Sequence, residues 1–365
     1  MRHVDEHRDP VRLRAAALDL HRATTRPWTI MEICGGQTHA IARWALESRL
    51  PPGLTLVHGP GCPVCVTPVE FIEHARRLAI DAGVVLCTFG DMMRVPGTGG
   101  DLLAARAEGA DVRVVVSPLD AVRLAGELPG RTVVFFGVGF ETTAPTVAAA
   151  VEAADRLGLA NFAVLAAHVR VPPAMAMILG APDNAVQAFL AAGHVCTIEG
   201  TAEYPDLVRR FAVPIVVTGF EPLDLLAGLR HAVIQLEAGR AELEIQYDRA
   251  VRPEGNPLAR AAVARVFEVV DRRWRGLGVV PGGGLRVREA FARHDAERRF
   301  GAAPVAAEAV GPCRAADVLR GRLRPVDCPE FGRGCTPERP LGAPMVSSEG
   351  ACAAYYHYRR AQVAR

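Results

Sequence analysis

The stretch LTLVHGPGCPVCVTPVE, Leu54 to Glu70, runs from an apolar segment through a glycine- and proline-rich loop into a helix signal. Leu54-Thr55-Leu56-Val57 reads as a buried strand. Cys62 and Cys65 stand two residues apart in the loop, so the pair occupies a strand-to-helix turn. Thr67, followed by Pro68 and, three residues on, Glu70, has the pattern of a capping box. A thiol placed just before a helix start feels the positive end of the helix dipole, which lowers its pKa and favours the thiolate. Such a pair suits disulfide exchange or metal binding; a packed, inert pair in a tight turn is the alternative.

The same grammar recurs along the chain. Residues 28–33 form an apolar run ending in Cys34-Gly35-Gly36-Gln37-Thr38-His39, with a helix expected over 40–49, so Cys34 also lies where a strand gives way to a helix. A helix over 69–82 leads to a strand over 84–88 and a polar loop holding Asp91 and Arg94. Further strands are expected over 112–116 and 132–137, the latter followed by GVGFETTAP with Glu141. Alternating strands and helices with short loops indicate an α/β fold of parallel sheets flanked by helices. Ligands bind such sheets at the carboxyl ends of the strands, where Cys34, Cys62, Cys65, Asp91, Arg94 and Glu141 all fall, so one crevice is expected to gather them. An internal echo, Gly139-Phe140-Glu141 against Gly219-Phe220-Glu221 and Pro118-Leu119-Asp120 against Pro222-Leu223-Asp224, points to two related lobes. The GVGFET loop lacks the third glycine of a dinucleotide fingerprint, which argues against a nicotinamide site.

Composition removes several function classes. The 365 residues exceed one ordinary domain, and 50% hydrophobic with 22% charged residues is globular. All 42 basic residues are arginine, which excludes a Schiff-base lysine, a pyridoxal anchor and a P-loop lysine. The formal net charge of +2, without a long basic run, gives no reason to expect a nucleic-acid or membrane partner. The charged beginning and the lack of a long apolar run predict neither signal peptide nor membrane span, hence a cytoplasmic protein. In a reducing compartment nine cysteines read as metal ligands or redox thiols. Cys87 and Cys196, set in apolar surroundings, read as core, and His168 and His194 as structural histidines. His39 is placed either to steady a thiolate and pass a proton or to bond backbone at a helix start. Asp91 and Glu141 read either as groups supporting a bound ligand from behind the residues that hold it or as helix caps.

Beyond residue 240 the pattern changes to an Arg-rich segment, a turn at 281–284 and a loop-rich tail. Cys313, Cys328, Cys335 and Cys352 are spaced C-x14-C-x6-C-x16-C. Four thiolates suit a tetrahedral zinc or an iron–sulfur cluster, and spacing does not choose between them.

The motifs CGGQTHAI, GPGCPVCVTP, TFGDMMRVPG, GFETTAP, VPPA, DVLRG, FGRGCTPERP and MVSSEGACAAYY, in this order, resemble the hydrogenase maturation HypD family over nearly the whole chain. The resemblance implies two α/β lobes, 26–130 with Cys34 and the CxxC pair and 131–239, plus a C-terminal loop- and helix-rich iron–sulfur domain, 240–365 with the N-terminal helix 1–25. It implies a scaffold that works with a small HypC-like chaperone while Fe(II) acquires cyanide and carbon monoxide for the hydrogenase large subunit. A HypE-like partner delivers the cyanide as a thiocyanate. By the same resemblance Cys34, Cys62 and Cys65 are the thiols of iron binding and redox work, with His39 beside them. The four tail cysteines become ligands of a 4Fe-4S cluster, and the coexistence of both thiol sets gives the expectation that the cluster relays electrons to the CxxC pair. Gln37 stands where a histidine is common in the family, and Ala315 and Pro344 where many members carry further cysteines. The competing expectation is a stand-alone iron–sulfur thiol–disulfide oxidoreductase acting on a protein substrate.

Overall fold

Two parallel sheets organise the chain in the computed structural model, which describes residues 5–302 and 311–363. In the first, β1 (Trp28–Glu32) lies between β2 (Leu54–His58) and β7 (Ala188–Ala192), and β8 (Ile215–Thr218) and β9 (Leu243–Ile245) extend it. The second has the order β4 (Val112–Val114), β3 (Val85–Thr88), β5 (Val133–Gly139), β6 (Phe162–His168). Every residue of β5 and β6 is buried, as expected of near-continuous apolar strands covered by helices on both faces.

The α/β class and the parallel pairing agree with the sequence reading, but the sheets do not follow the contiguous partition. The expected boundary at 130/131 falls between β4 and β5, which share a sheet, while β7 and β8 return to the first. Strand order depends on where each crossover lands, which local pattern does not encode. The helix Pro10–Ala23, capped by Asp9, likewise packs Leu13, Ala17 and Leu20 against Leu225 and Leu229 of the helix Pro222–Glu237, and so covers the first sheet instead of joining the tail.

The echo is visible at two helix starts. Ser117 with Asp120, and Glu221 with Asp224, each form a reciprocal cap ahead of a proline-led helix. After residue 257 an antiparallel hairpin follows, β10 (Phe267–Trp274) with β11 (Gly278–Val287). The expected turn at 281–284 lies inside β11, and the chain reverses around Gly276, whose φ is +79°. Glycine at 284 is dictated by packing: a Cβ there would meet Arg272 Cβ at 2.4 Å. The tail ends in the helix Ala351–Val363, which buries Ala354 and Tyr355 in a cluster with Phe331, Met345 and Ala42 of the helix Gly35–Arg43. Among the described residues no helix is long and apolar enough to cross a membrane.

Candidate functional site: a thiol centre at the first sheet

Cys34 follows β1 and is the N-cap residue of the helix Gly35–Arg43, with no side-chain capping bond of its own. Its sulfur lies 3.6 Å from His194 Nδ1, at the start of the helix after β7. The His194 ring stacks on Phe220, centroids 5.3 Å apart and 13° from parallel. Cys34 is 1% exposed, and this burial pushes its thiol well above the usual range, outweighing the backbone N–H groups of Gln37 and Gly36. A helix start by itself therefore does not make this thiol acidic; a cationic partner is needed to hold it as thiolate. Burial also lowers His194 to about 4, so the ring beside the sulfur is neutral near pH 7.

Below the sulfur is a buried carboxylate. Glu32, fully buried in β1, accepts from Cys34 N at 2.8 Å and Thr38 Oγ1 at 2.5 Å, and lies 2.5 Å from His58 Nδ1. His58 Nε2 lies 2.6 Å from Tyr355 Oη, which donates to Glu47 at 2.6 Å. The Cys34 turn is thus held from β2 and from the last helix. Gln37, buried beside it, donates from Nε2 to the carbonyls of Thr218 at 2.9 Å and Ala191 at 3.3 Å, tying the helix to the ends of β8 and β7.

The CxxC loop lies directly on this turn. Gly35 N donates to Gly61 O at 2.7 Å, and a Cβ on Gly61 would come within 2.3 Å of Cys34 N, so only glycine allows the two loops to touch. Cys62 and Cys65 are joined as a disulfide, and Cys62 Sγ accepts from Cys65 N at 3.3 Å at the start of the short helix Pro63–Val66. The expected capping box does not form. Thr67 instead closes that short helix, donating to Pro63 O at 2.9 Å, while Glu70 faces Arg273 at 3.4 Å. The CPVC segment is itself helical, which moves the helix start ahead of the threonine.

Cys313, Cys328, Cys335 and Cys352 line one cavity, together with Ala315 and Pro344. A Cβ at Gly342 would sit 2.4 Å from Cys313 Sγ, and Leu341 N donates to Cys335 Sγ at 3.4 Å. Burial first, then the proximity of the other three thiols, raises the pKa of Cys352. Among the described residues no three His, Cys, Asp or Glu side chains stand close enough to hold a single metal ion. Cys313 also lines a second cleft, shared with Cys65 and Arg275, so one tail cysteine and one member of the CxxC pair face a common space.

Comparison with known proteins gives this arrangement its context. Residues 12–359 match the model of the family described as "HypD: Hydrogenase formation hypA family". The chain belongs to the HypD family. It is 48% identical over 369 residues to a hydrogenase maturation factor HypD of Azotobacter vinelandii, covering 99% of this chain and 97% of that one. It is 47% identical over 368 residues to the Escherichia coli (strain K12) factor, covering 99% of both chains, and 45% identical over 379 residues to that of Rhodobacter capsulatus, covering both in full.

Not every residue singled out from the sequence of this HypD family member meets at the Cys34 turn. His39 faces the tail, with Nδ1 3.2 Å from Ser348 O and Nε2 3.2 Å from Tyr358 Oη. Asp91 accepts from Ser347 Oγ at 2.7 Å and Arg94 donates to Pro337 O at 3.2 Å, so both hold the tail in place. Glu141 lies in a separate cleft with Arg170, Glu199, Arg260 and Arg288. There Oε1 accepts from Val171 N at 2.8 Å, Oε2 has no partner, and burial raises the carboxyl to about 7. Cys87 and Cys196 are buried, which lifts each thiol to about 12. Sequence reasoning missed His194 and Glu32. His194 had a usable signal, since it ends an apolar strand just as Cys34 does.

Proposed function

We propose that the chain acts in hydrogenase maturation as a cytoplasmic scaffold, joined by a HypC-like chaperone, on which Fe(II) receives cyanide and carbon monoxide. The observation that carries this reading is the free thiol of Cys34, backed by a fixed carboxylate and touched by a disulfide-bearing loop, in a chain of the HypD family. Iron in this role is cargo, and Cys34 is its first ligand. A soft, electron-rich thiolate suits low-spin iron carrying strong-field ligands, and the buried setting excludes water. The positive iron would offset the burial that otherwise keeps this thiol protonated.

Cyanide arriving as a thiocyanate on a HypE-like partner needs two electrons to leave as cyanide. With Cys62 and Cys65 reduced, R–S–CN and two thiols give R–SH, cyanide, a proton and the Cys62–Cys65 disulfide. The oxidised pair seen here corresponds to the end of such a cycle.

The tail fits a 4Fe-4S cluster by its donor set. Four thiols surround one cavity, a backbone N–H points at one sulfur, and Gly342 leaves the room that a side chain would fill. Cys313, Cys328, Cys335 and Cys352 would hold it, and when bound it supplies electrons one at a time beside the CxxC loop. Zinc would instead draw the four sulfurs to about 2.3 Å from one point.

Replacing Cys62 or Cys65 by Ala is expected to block maturation while leaving the broad absorbance at about 400 nm of the anaerobically purified protein unchanged. Normal maturation by these variants sinks the reading. Recovery of a small chaperone with bound iron separates a scaffold from a stand-alone oxidoreductase, and a colourless protein excludes the cluster.

A further inference from the structure

The disulfide has two different sides. On one, the loop carrying Cys62 meets the Cys34 turn: Gly61 contacts Cys34 through backbone, and Gly35 N bonds to Gly61 O. On the other, Cys65 lines a cleft of about 310 Å³ with Val69, Pro96, Thr98, Arg275 and Cys313, whereas neither Cys62 nor Cys34 lines it. That volume is at the small end of ligand sites, which run on the order of 300–1,000 Å³. The cleft therefore takes a small molecule and not a folded domain. Arg275 lines the same cleft, held through N to Val66 O at 2.8 Å and Nη1 to Pro96 O at 3.1 Å, and gives its wall a positive charge.

We infer that this cleft admits a small anionic thiol, which attacks the sulfur of Cys65 and expels that of Cys62. The inference rests on the redox role proposed for the pair and adds a direction to it. Thiol–disulfide exchange proceeds in line, with attacking, central and leaving sulfurs on one axis. A thiolate entering beside Cys313 reaches Cys65 first, because Cys62 and Cys65 are both buried and, of the two, only Cys65 lines the cleft. The balance is RS⁻ plus the Cys65–Cys62 disulfide giving R–S–Cys65 and the Cys62 thiolate. The leaving thiolate is already placed to accept the Cys65 N–H, which stabilises the developing charge. A second RS⁻ then attacks R–S–Cys65, releasing RSSR and the Cys65 thiolate; both cysteines are then reduced, and each takes up a proton from water to give the dithiol. In this order Cys62, on the side of Cys34, becomes the first free thiolate.

The test uses the full-length protein and glutathione. With oxidised glutathione, Cys62→Ala is expected to form a glutathione adduct on Cys65 at least about tenfold faster than Cys65→Ala forms one on Cys62, read by intact mass and peptide mapping. Equal rates, or the reverse order, overturn the inference and leave the redox role standing. To separate access from any effect of losing the disulfide on folding, Thr98→Trp at the exposed rim serves as a second variant with both cysteines intact. It is expected to slow opening of the wild-type disulfide by reduced glutathione severalfold at an unchanged melting temperature, and an unchanged rate overturns the route. Absence of exchange at both cysteines in every protein overturns the redox role as well.

Discussion

The two sheets share an architecture and differ in what they place at the ends of their strands. At the first, β1, β2, β7 and β8 present Cys34, the Cys62–Cys65 disulfide, His194 and Phe220: Cys34 lies against His194, His194 stacks on Phe220, and the disulfide-bearing loop touches the Cys34 turn through Gly61. At the second, β5 and β6 present Glu141 and His168, both buried; His168 has no hydrogen-bond partner at either nitrogen. One set of ends holds soft nucleophiles, the other hard titratable groups whose charged forms burial disfavours. The difference teaches that parallel sheets fix where chemistry can be placed and leave its kind to the first residues after each strand.

If the first sheet carries the reaction, Cys34→Ser gives the largest effect. Maturation, measured as hydrogenase activity in a strain lacking its own HypD-family protein, should fall to background at an unchanged melting temperature. A comparable loss from Glu141→Gln in a stably folded protein would break the comparison.

Next comes the carboxylate beneath Cys34. Glu32→Ala leaves Thr38, His58 and the Cys34 N–H without their common acceptor, so urea unfolding should show a loss of about 3–5 kcal/mol.

The second sheet should show itself through pH. Burial lowers His168 to about 3, well below an unfolded histidine, so the unfolded state takes up the proton first and stability falls as pH drops from about 6.5 towards 3. His168→Leu should flatten that acid limb, with a relative gain of about 3 kcal/mol at pH 4. Glu141 has the opposite slope. Its carboxyl is raised to about 7, so its contribution is complete below the unfolded value near 4.5 and is lost as pH rises through 7. Glu141→Gln should therefore be the more stable protein at pH 8, by at most about 3 kcal/mol, with the gap closing towards pH 4. Melting temperature against pH reads both, and parallel profiles for wild type and variants would remove the distinction between the sheets.

Much of this was legible in the sequence because strand ends announce themselves locally. Leu54–Val57 followed by glycine and proline placed the CxxC turn, and the run into Cys34 placed the other thiol. What stayed hidden depends on contacts between distant segments. The return of β7 and β8 to the first sheet has no local signature. His39 looked the better partner for Cys34 because it is five residues away, yet its ring turns to the tail, and the ring at the sulfur comes from residue 194, 160 positions on. Glu32 did leave a trace, a lone charge inside an apolar strand. Its meaning needed His58 and Tyr355, one at the end of a neighbouring strand and the other in the last helix. The capping box at Thr67 failed because a four-residue helix intervened.

The contact between His58 and Tyr355 spans 297 positions. A chain leaving the ribosome therefore displays Cys34 and the CxxC loop long before the helix that braces them exists. The brace comes from a segment made well after both thiol motifs, so the Cys34 turn gains its lock only once the tail has folded back onto β2. Chains cut before Tyr355 keep the cysteines but lose that brace, so the thiol site depends on a distant segment as much as on its own sheet.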